Sequence, residues 1–258
     1  MTDTRLDAMA RHMWDARRAR QNYVNLPAAL TPASIAEAYQ AQEAYYRLAE
    51  PVYGPVGGVK VATTTKVMQE LMGITHPCGG AIFANTIHTS PARIKKSDFV
   101  NLRIESEIAL QLGRDMPTSL APWTAASVAP YVAGAMPAYE LIEDRNAVYT
   151  ETRAVSMIVE NCWNGGVVIG APRPAAAQDV VGVAGHQTLN GKSIGSGKSE
   201  DPFATLAWLA NLLAERGRAL SAGMVVITGS LIPTFSIASG DRAVFTVDGL
   251  GEVILEIE

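Results

Sequence analysis

Residues 102–112 read LRIESEIALQL, and their alternation restricts the fold more than any other stretch of the chain. Leu102, Ile104, Ile108, Leu110 and Leu112 share one face of a period-2 pattern, and Arg103, Glu105, Glu107 and Gln111 share the other. Such a strand lays its apolar face on a core. Glu105 and Glu107 then project side by side, about two strand rises or ~7 Å apart. In one reading they belong to a solvated outer face, with Arg103 screening the acids. In the other, two like charges stand together because a cation sits between them.

At 258 residues the chain can form one large domain, or a domain with a smaller helical appendage. Hydrophobic residues make up 48% and charged residues 18%, which implies a substantial core and excludes global disorder. The formal charge of −4 argues against a nucleic-acid binder. Cys78 and Cys162 cannot make a disulfide framework, and nothing indicates an oxidising compartment. Arg5, Arg11, Arg17, Arg18 and Arg20 are interspersed with Asp3, Asp7 and Asp15, whereas transit peptides avoid acids. Two long uncharged runs, 116–139 and from 219 up to Asp241, are interrupted by Pro117, Pro122, Pro130 and Pro137 and by Gly223, Gly229, Pro233 and Gly240. Neither can be a continuous lipid-facing helix. The expectation is a soluble, cytoplasmic protein with no membrane partner.

Residues 4–22 read as a basic amphipathic helix with Leu6, Met9, Met13 and Ala16 on one face. Thr31 as N-cap and Pro32 at the first helical position predict a second helix to about Glu50, ended by Pro51 and the glycines at 54, 57 and 58. Strand-like runs follow at 59–62, 102–112, 138–142, 167–169, 224–227, 243–247 and 253–257. One strong helix interrupts them, capped by Asp201, opened by Pro202 and closed by Gly217. The organisation is a helical region over 1–55 and a β-rich mixed α/β domain over 56–258.

A third acid, Glu140, breaks the apolar run in MPAYELIEDR, where an unpaired carboxylate is costly to bury. Three carboxylates from two strands would form a hard-oxygen site suited to Mg²⁺ or Mn²⁺. A salt bridge from Glu140 to Arg103 or Arg145 is the alternative. Lys60 lies between Val59 and Val61. It is either a solvated strand lysine or, near a metal and an anionic substrate, a carboxylate binder or proton shuttle. In 225–230 an apolar strand runs into Thr228, Gly229 and Ser230, which suits a small polar ligand or an ordinary turn. GSGK at 195–198 lacks the fuller phosphate-loop pattern, so no nucleotide site is assigned there.

Several motifs occur in a fixed order. G-x-K ends at Lys60; E-x-E at Glu105 and Glu107 is followed by Leu112-Gly113-Arg114-Asp115; P-A-x-E runs from Pro137 to Glu140, with Asp144-Arg145 after it. WLAN-x-L-AERG spans 208–217, AG-x-V-x-x-TGS spans 222–230, and Gly240-Asp241 and Gly249-Leu250-Gly251 close the set. Over about 55–258 the sequence thereby resembles the fumarylacetoacetate hydrolase superfamily, and within it the 2-hydroxypentadienoate hydratase / 4-oxalocrotonate decarboxylase group. The resemblance implies a β-roll or sandwich with an N-terminal helical region, in which Glu105, Glu107 and Glu140 bind one Mg²⁺ or Mn²⁺. It places Lys60 beside a small 2-oxo or 2-hydroxydienoic acid, with Thr228, Ser230, Cys78 and Asn164 as candidate substrate contacts.

The activity implied first is hydration of a 2-hydroxydienoate in aromatic-compound catabolism. Decarboxylation of a 2-oxo-3-enedioate, hydrolysis of an acylpyruvate and a non-catalytic metal-binding partner subunit are the alternatives. A homo-oligomer, or a complex with a sister lyase, is the expected assembly. The sequence departs from the group at two places. Cys78 in HPCGG stands where an aspartate that handles water is expected, and reads as a neutral packing residue. Trp163, in the segment from Val159 to Asn164, implies a changed pocket volume and a different substrate tail. His12, His76, His88 and His186 offer no obvious water-activating His–Glu pair.

Overall fold

The computed structural model describes residues 4–258. In chain order the helices are α1 (Thr4–Arg18), α2 (Ile35–Tyr53), α3 (Lys66–Leu71), α4 (Ala125–Val128), α5 (Ala154–Val159) and α6 (Pro202–Ala214). The strands are β1 (Val56–Ala62), β2 (Cys78–Phe83), β3 (Ile87–Thr89), β4 (Ala92–Ile94), β5 (Leu102–Leu112), β6 (Val132–Glu143), β7 (Asn164–Ile169), β8 (Ala184–Leu189), β9 (Lys192–Lys198), β10 (Val225–Ser236), β11 (Arg242–Val247) and β12 (Gly251–Ile257).

These elements form the expected mixed α/β, β-rich fold. A seven-stranded sheet has the order β2-β1-β10-β5-β6-β7-β3, and a five-stranded sheet has the order β4-β12-β11-β8-β9. The apolar face of β5, with Ile104, Ile108 and Leu110, packs in one core with Phe245, Val253 and Leu255 of the smaller sheet and with Phe203 and Leu206 of α6. A second core joins Met9 and Met13 of α1 and Tyr39 and Tyr45 of α2 to α5 and to Phe83 of β2. The two long uncharged runs are folded into short turns, α4, β6 and β10, and no described helix is long and apolar enough to cross a membrane.

Helix boundaries differ from expectation for local reasons. α1 stops at Arg18, before the expected 22, because Arg20 takes a left-handed φ of 56°. α2 starts after Ser34, whose hydroxyl accepts the Glu37 N–H at 3.1 Å, so Thr31-Pro32 does not open it. The Thr31 hydroxyl donates instead to the carbonyls of Leu26 and Pro27. α2 also continues through Pro51 to Tyr53, although a proline there supplies no N–H to the carbonyl four residues back, and Gly54 closes it with a φ of 79°. α6 begins as expected, with the Asp201 carboxylate accepting the N–H groups of Phe203 and Ala204. GSGK lies within β9, paired with β8, and forms no phosphate loop.

Phe245 is fully buried between the sheets and faces Tyr139 at 6.3 Å between ring centroids. Phe245→Ala should lower unfolding stability by about 3–5 kcal/mol in urea titration, a loss that a surface position on β11 such as Thr246→Ala would not reproduce.

Candidate active site

The polar face of β5 turns inward. Register pairs Glu105 with Glu140 across β5 and β6, and Glu107 stands two residues along on the same face. On the far side of β10, Lys60 pairs with Ile227, which in turn pairs with Ala109, so the lysine shares that face. Ligand oxygens of Glu105, Glu107 and Glu140 all lie within 4.8 Å of one another. Glu107 and Glu140 are fully buried and Lys60 is 3% exposed.

Each carboxylate has a distinct partner. Lys60 Nζ lies 2.8 Å from Glu140 Oε1, and Asn164 Nδ2 donates to the same oxygen at 3.0 Å. The Gly229 N–H donates to Glu107 Oε2 at 2.7 Å. That N–H reaches inward because Gly229 adopts a φ of 106°, open to glycine and strained for other residues. The Thr234 hydroxyl donates to Glu105 Oε1 at 2.5 Å. Glu107 Oε1 and Glu140 Oε2 are buried without a hydrogen-bond partner. Unpartnered carboxylate oxygens in mutual reach are the donor set of a hard divalent cation, so these residues fit Mg²⁺ or Mn²⁺.

Electrostatics agree. Burial pushes Glu140 up to about 7, with Lys60 pulling against it and Glu105 adding to the rise. Burial, then Glu140 and Glu105, push Glu107 well above the ordinary carboxylate range. Burial by itself would lower the Lys60 ammonium, but Glu140, Cys162 and Glu105 together outweigh it and hold the pKa above the ordinary value. The neighbouring arginines do not pair with Glu140. Arg145 binds Glu160 through two nitrogens, at 2.8 and 2.7 Å, and Arg103 donates to the Thr234 carbonyl at 3.5 Å.

Lys60 and Glu105 line a pocket of about 470 Å³, shared with Ser230, Cys162 and Trp163. The other candidates take different places. The Thr228 hydroxyl donates to the Ile108 carbonyl at 2.8 Å, and Thr228 lies outside this pocket. Asn164 contacts Glu140 and lines a different cavity. Cys78 lies on the Lys60 face of the sheet, fully buried, and burial pushes its thiol up to about 11. His76 lines a separate pocket, and none of the four histidines lines this one.

In the turn before β7, Trp163 lines the pocket as the sequence implied, while the parts played by Asn161 and the Cys162 carbonyl were not legible. Asn161, Cys162 and Trp163 have left-handed φ values of 57°, 49° and 61°. This turn aims the Cys162 carbonyl at Lys60 Nζ, 3.1 Å away. Asn161 pins it by accepting the Ala81 N–H at 2.7 Å and donating to the Ala81 carbonyl at 2.8 Å. Glu160, a carboxylate directly after the apolar run Met157-Ile158-Val159, was the available signal.

No family model matches the chain. A 2-keto-4-pentenoate hydratase of Paraburkholderia phymatum is 27% identical over 257 residues, covering 97% of both chains. A 2-hydroxyhexa-2,4-dienoate hydratase of Comamonas testosteroni is 25% identical, covering 95% of both. The solved 4-oxalocrotonate decarboxylase of Pseudomonas putida G7, complexed with magnesium and adipate, shares the fold. Its TM-score is 0.89 at 22% identity, over 100% of this chain and 99% of that one. These likenesses bear out the resemblance to the hydratase / decarboxylase group carried by the motifs.

Glu107→Gln keeps an acceptor for the Gly229 N–H while removing a buried charge. The metal-free variant should melt at or above the wild-type Tm, and the rise in Tm that Mg²⁺ produces through binding the folded state should disappear. An undiminished Mg²⁺-dependent rise would remove Glu107 from the ligand set.

Proposed function

We propose that the chain is a divalent-metal-dependent lyase that adds water to a 2-hydroxydienoate, in equilibrium with its 2-oxo-4-enoate form, of the kind produced in aromatic-compound breakdown. The observation that carries this reading is the carboxylate trio, two of its members fully buried, with Lys60 at its edge and with Lys60 and Glu105 lining one pocket. The hydratase names of the full-length relatives support the same reaction. Bound by Glu105, Glu107 and Glu140, Mg²⁺ or Mn²⁺ supplies a Lewis acid for the carboxylate and 2-oxo oxygens of such an acid.

The chain's own residues account for the rest. An ammonium has three donors; one of Lys60's meets Glu140 and one the Cys162 carbonyl, leaving the third for the pocket. Held protonated by Glu140, Lys60 donates to a substrate oxygen and gives or retrieves a proton as dienol and keto forms interconvert. Asn164 fixes the Glu140 carboxylate that holds the lysine. Water then adds at the far carbon of the conjugated enone. Thr64, Thr65 and Ser230 line that pocket with hydroxyls.

Decarboxylation of a 2-oxo-3-enedioate is the second reading. It is favoured by Cys78, a buried neutral thiol where a water-handling acid is expected, because loss of CO₂ needs no such acid. Acylpyruvate hydrolysis lacks a histidine in the pocket. A non-catalytic binder has no use for Lys60 beside an intact trio of glutamates.

Incubation with Mg²⁺ and 2-hydroxypenta-2,4-dienoate, followed by NMR, should show water addition. 2-Oxohex-3-enedioate under the same conditions should stay intact; CO₂ release from it would select the second reading. Lys60→Met should lower kcat at least ~100-fold, within the range attributed to a positioned acid or base, while changing Mg²⁺ affinity far less. Equal losses in both would make the lysine part of the metal site alone.

A further inference from the structure

The pocket beside Lys60 is larger and more apolar than a five-carbon dienoic acid requires. At about 470 Å³ it falls within the ~300–1,000 Å³ range of sites that enclose a drug-sized ligand. Its charged groups are Lys60 and Glu105, both at the carboxylate end. The remaining wall includes Met68, Met72, Ile142, Met157, Trp163 and Ile232. Three thioethers supply a surface that adapts to an extended hydrocarbon. Trp163 gives it a fixed side, held edge-on between Tyr23 at 5.1 Å and Tyr149 at 5.2 Å. The Tyr149 hydroxyl donates to Asp144 at 3.1 Å, and the buried Trp163 indole N–H, which has no partner among the described residues, is an unspent side-chain donor on that aromatic wall.

On the reading that this is the lyase site, we propose that its substrate is a monocarboxylate whose conjugated head continues into an extended apolar tail, alkyl or aryl, lying along Met68, Met157 and Trp163. A second carboxylate on that tail would leave water for thioether and indole with no lining cation to receive it. Arg103, two residues before Glu105 on the same strand face, donates to the Thr234 carbonyl and lies outside the lining.

Calorimetry on the Mg²⁺-loaded protein with 2-oxopentanoate, 2-oxooctanoate and 2-oxoadipate tests the proposal without requiring turnover. Affinity should rise at least ~10-fold from the five- to the eight-carbon monoacid, since each buried methylene adds to discrimination, and 2-oxoadipate should bind more weakly than either. Met68 is half-buried on α3, so Met68→Trp narrows the pocket from a tolerant position and should shrink that chain-length ratio. Equal affinities, an unchanged ratio in the variant, or tightest binding of 2-oxoadipate would overturn the proposal, the last by assigning Arg103 to a distal carboxylate. Hydration of 2-hydroxypenta-2,4-dienoate together with a flat chain-length series would leave the lyase reading standing and the tail inference refuted. Absence of binding by all three acids and of any hydration would bring down both.

Discussion

Three carboxylates on one inward sheet face set the terms for the rest of this structure. Glu105 and Glu140 are direct cross-strand neighbours, where like charges destabilise a sheet, and Glu107 and Glu140 are fully buried. Lys60 offsets part of that repulsion from a distance a flat sheet would not allow. Three strand steps separate β1 from β6, roughly 14 Å at normal spacing. Upright side chains that far apart would not meet, yet Nζ sits 2.8 Å from Glu140. The sheet must therefore curl, bringing its two ends around the acids. Burial first, and then the crowding of three carboxyl groups around one lysine, leaves Glu107 and Glu140 with raised pKa values, and a divalent cation would supply what is missing.

The curl is fastened at the turn before β7. Asn161 hydrogen-bonds both backbone groups of Ala81 on β2, linking two regions at opposite ends of the sheet order. Three successive left-handed residues at 161–163 cost about 1–3 kcal/mol each, so surrounding contacts must over-determine the turn. Glu160 is fully buried; burial raises its pKa, and the two bonds from Arg145 oppose the rise. Arg17 of α1 donates to the Asn164 carbonyl at 2.7 Å, and Gln42 of α2 donates to the carbonyls of Gly79 and Ile158. The N-terminal helices thus do more than cover a core: they hold the backbone that aims the Cys162 carbonyl at Lys60.

What the sequence conveyed follows the reach of each signal. β5 occupies 102–112 as read, because strict alternation over eleven residues leaves few other structures. α6 was legible from Asp201, Pro202 and the apolar run behind them. β2 was not: CGGAIF is buried at every position, so no alternation marks it. β8 and β9 are short, polar and glycine-rich, with pairing set by tertiary contacts instead of pattern. Among the site candidates, the glutamates and Lys60 converge because a strand period fixes their face. Thr228 and Ser230 could not be separated by pattern, since the register of β10 shifts between Ile227 and Ser230. Only the folded chain tells that the Thr228 hydroxyl meets the Ile108 carbonyl while Ser230 lines the pocket.

The two departures from the resembled group lie on β2 and in the turn before β7. Cys78 is on β2, and Cys162, next to Trp163, approaches the Gly79 carbonyl at 3.4 Å. The carboxylates and Lys60 are intact, so the end that would hold a 2-oxo acid head is unchanged while the neighbouring wall is rebuilt. A buried thiol with a pKa near 11 takes no part in moving protons at neutral pH, and Trp163 contributes an apolar surface. Of the two, only Trp163 lines the pocket, so it is the change that makes the wall apolar. Trp163 stands between Cys162, whose carbonyl meets Lys60, and Asn164, whose amide meets Glu140, so one stretch of backbone ties the apolar wall of the pocket to its charged end.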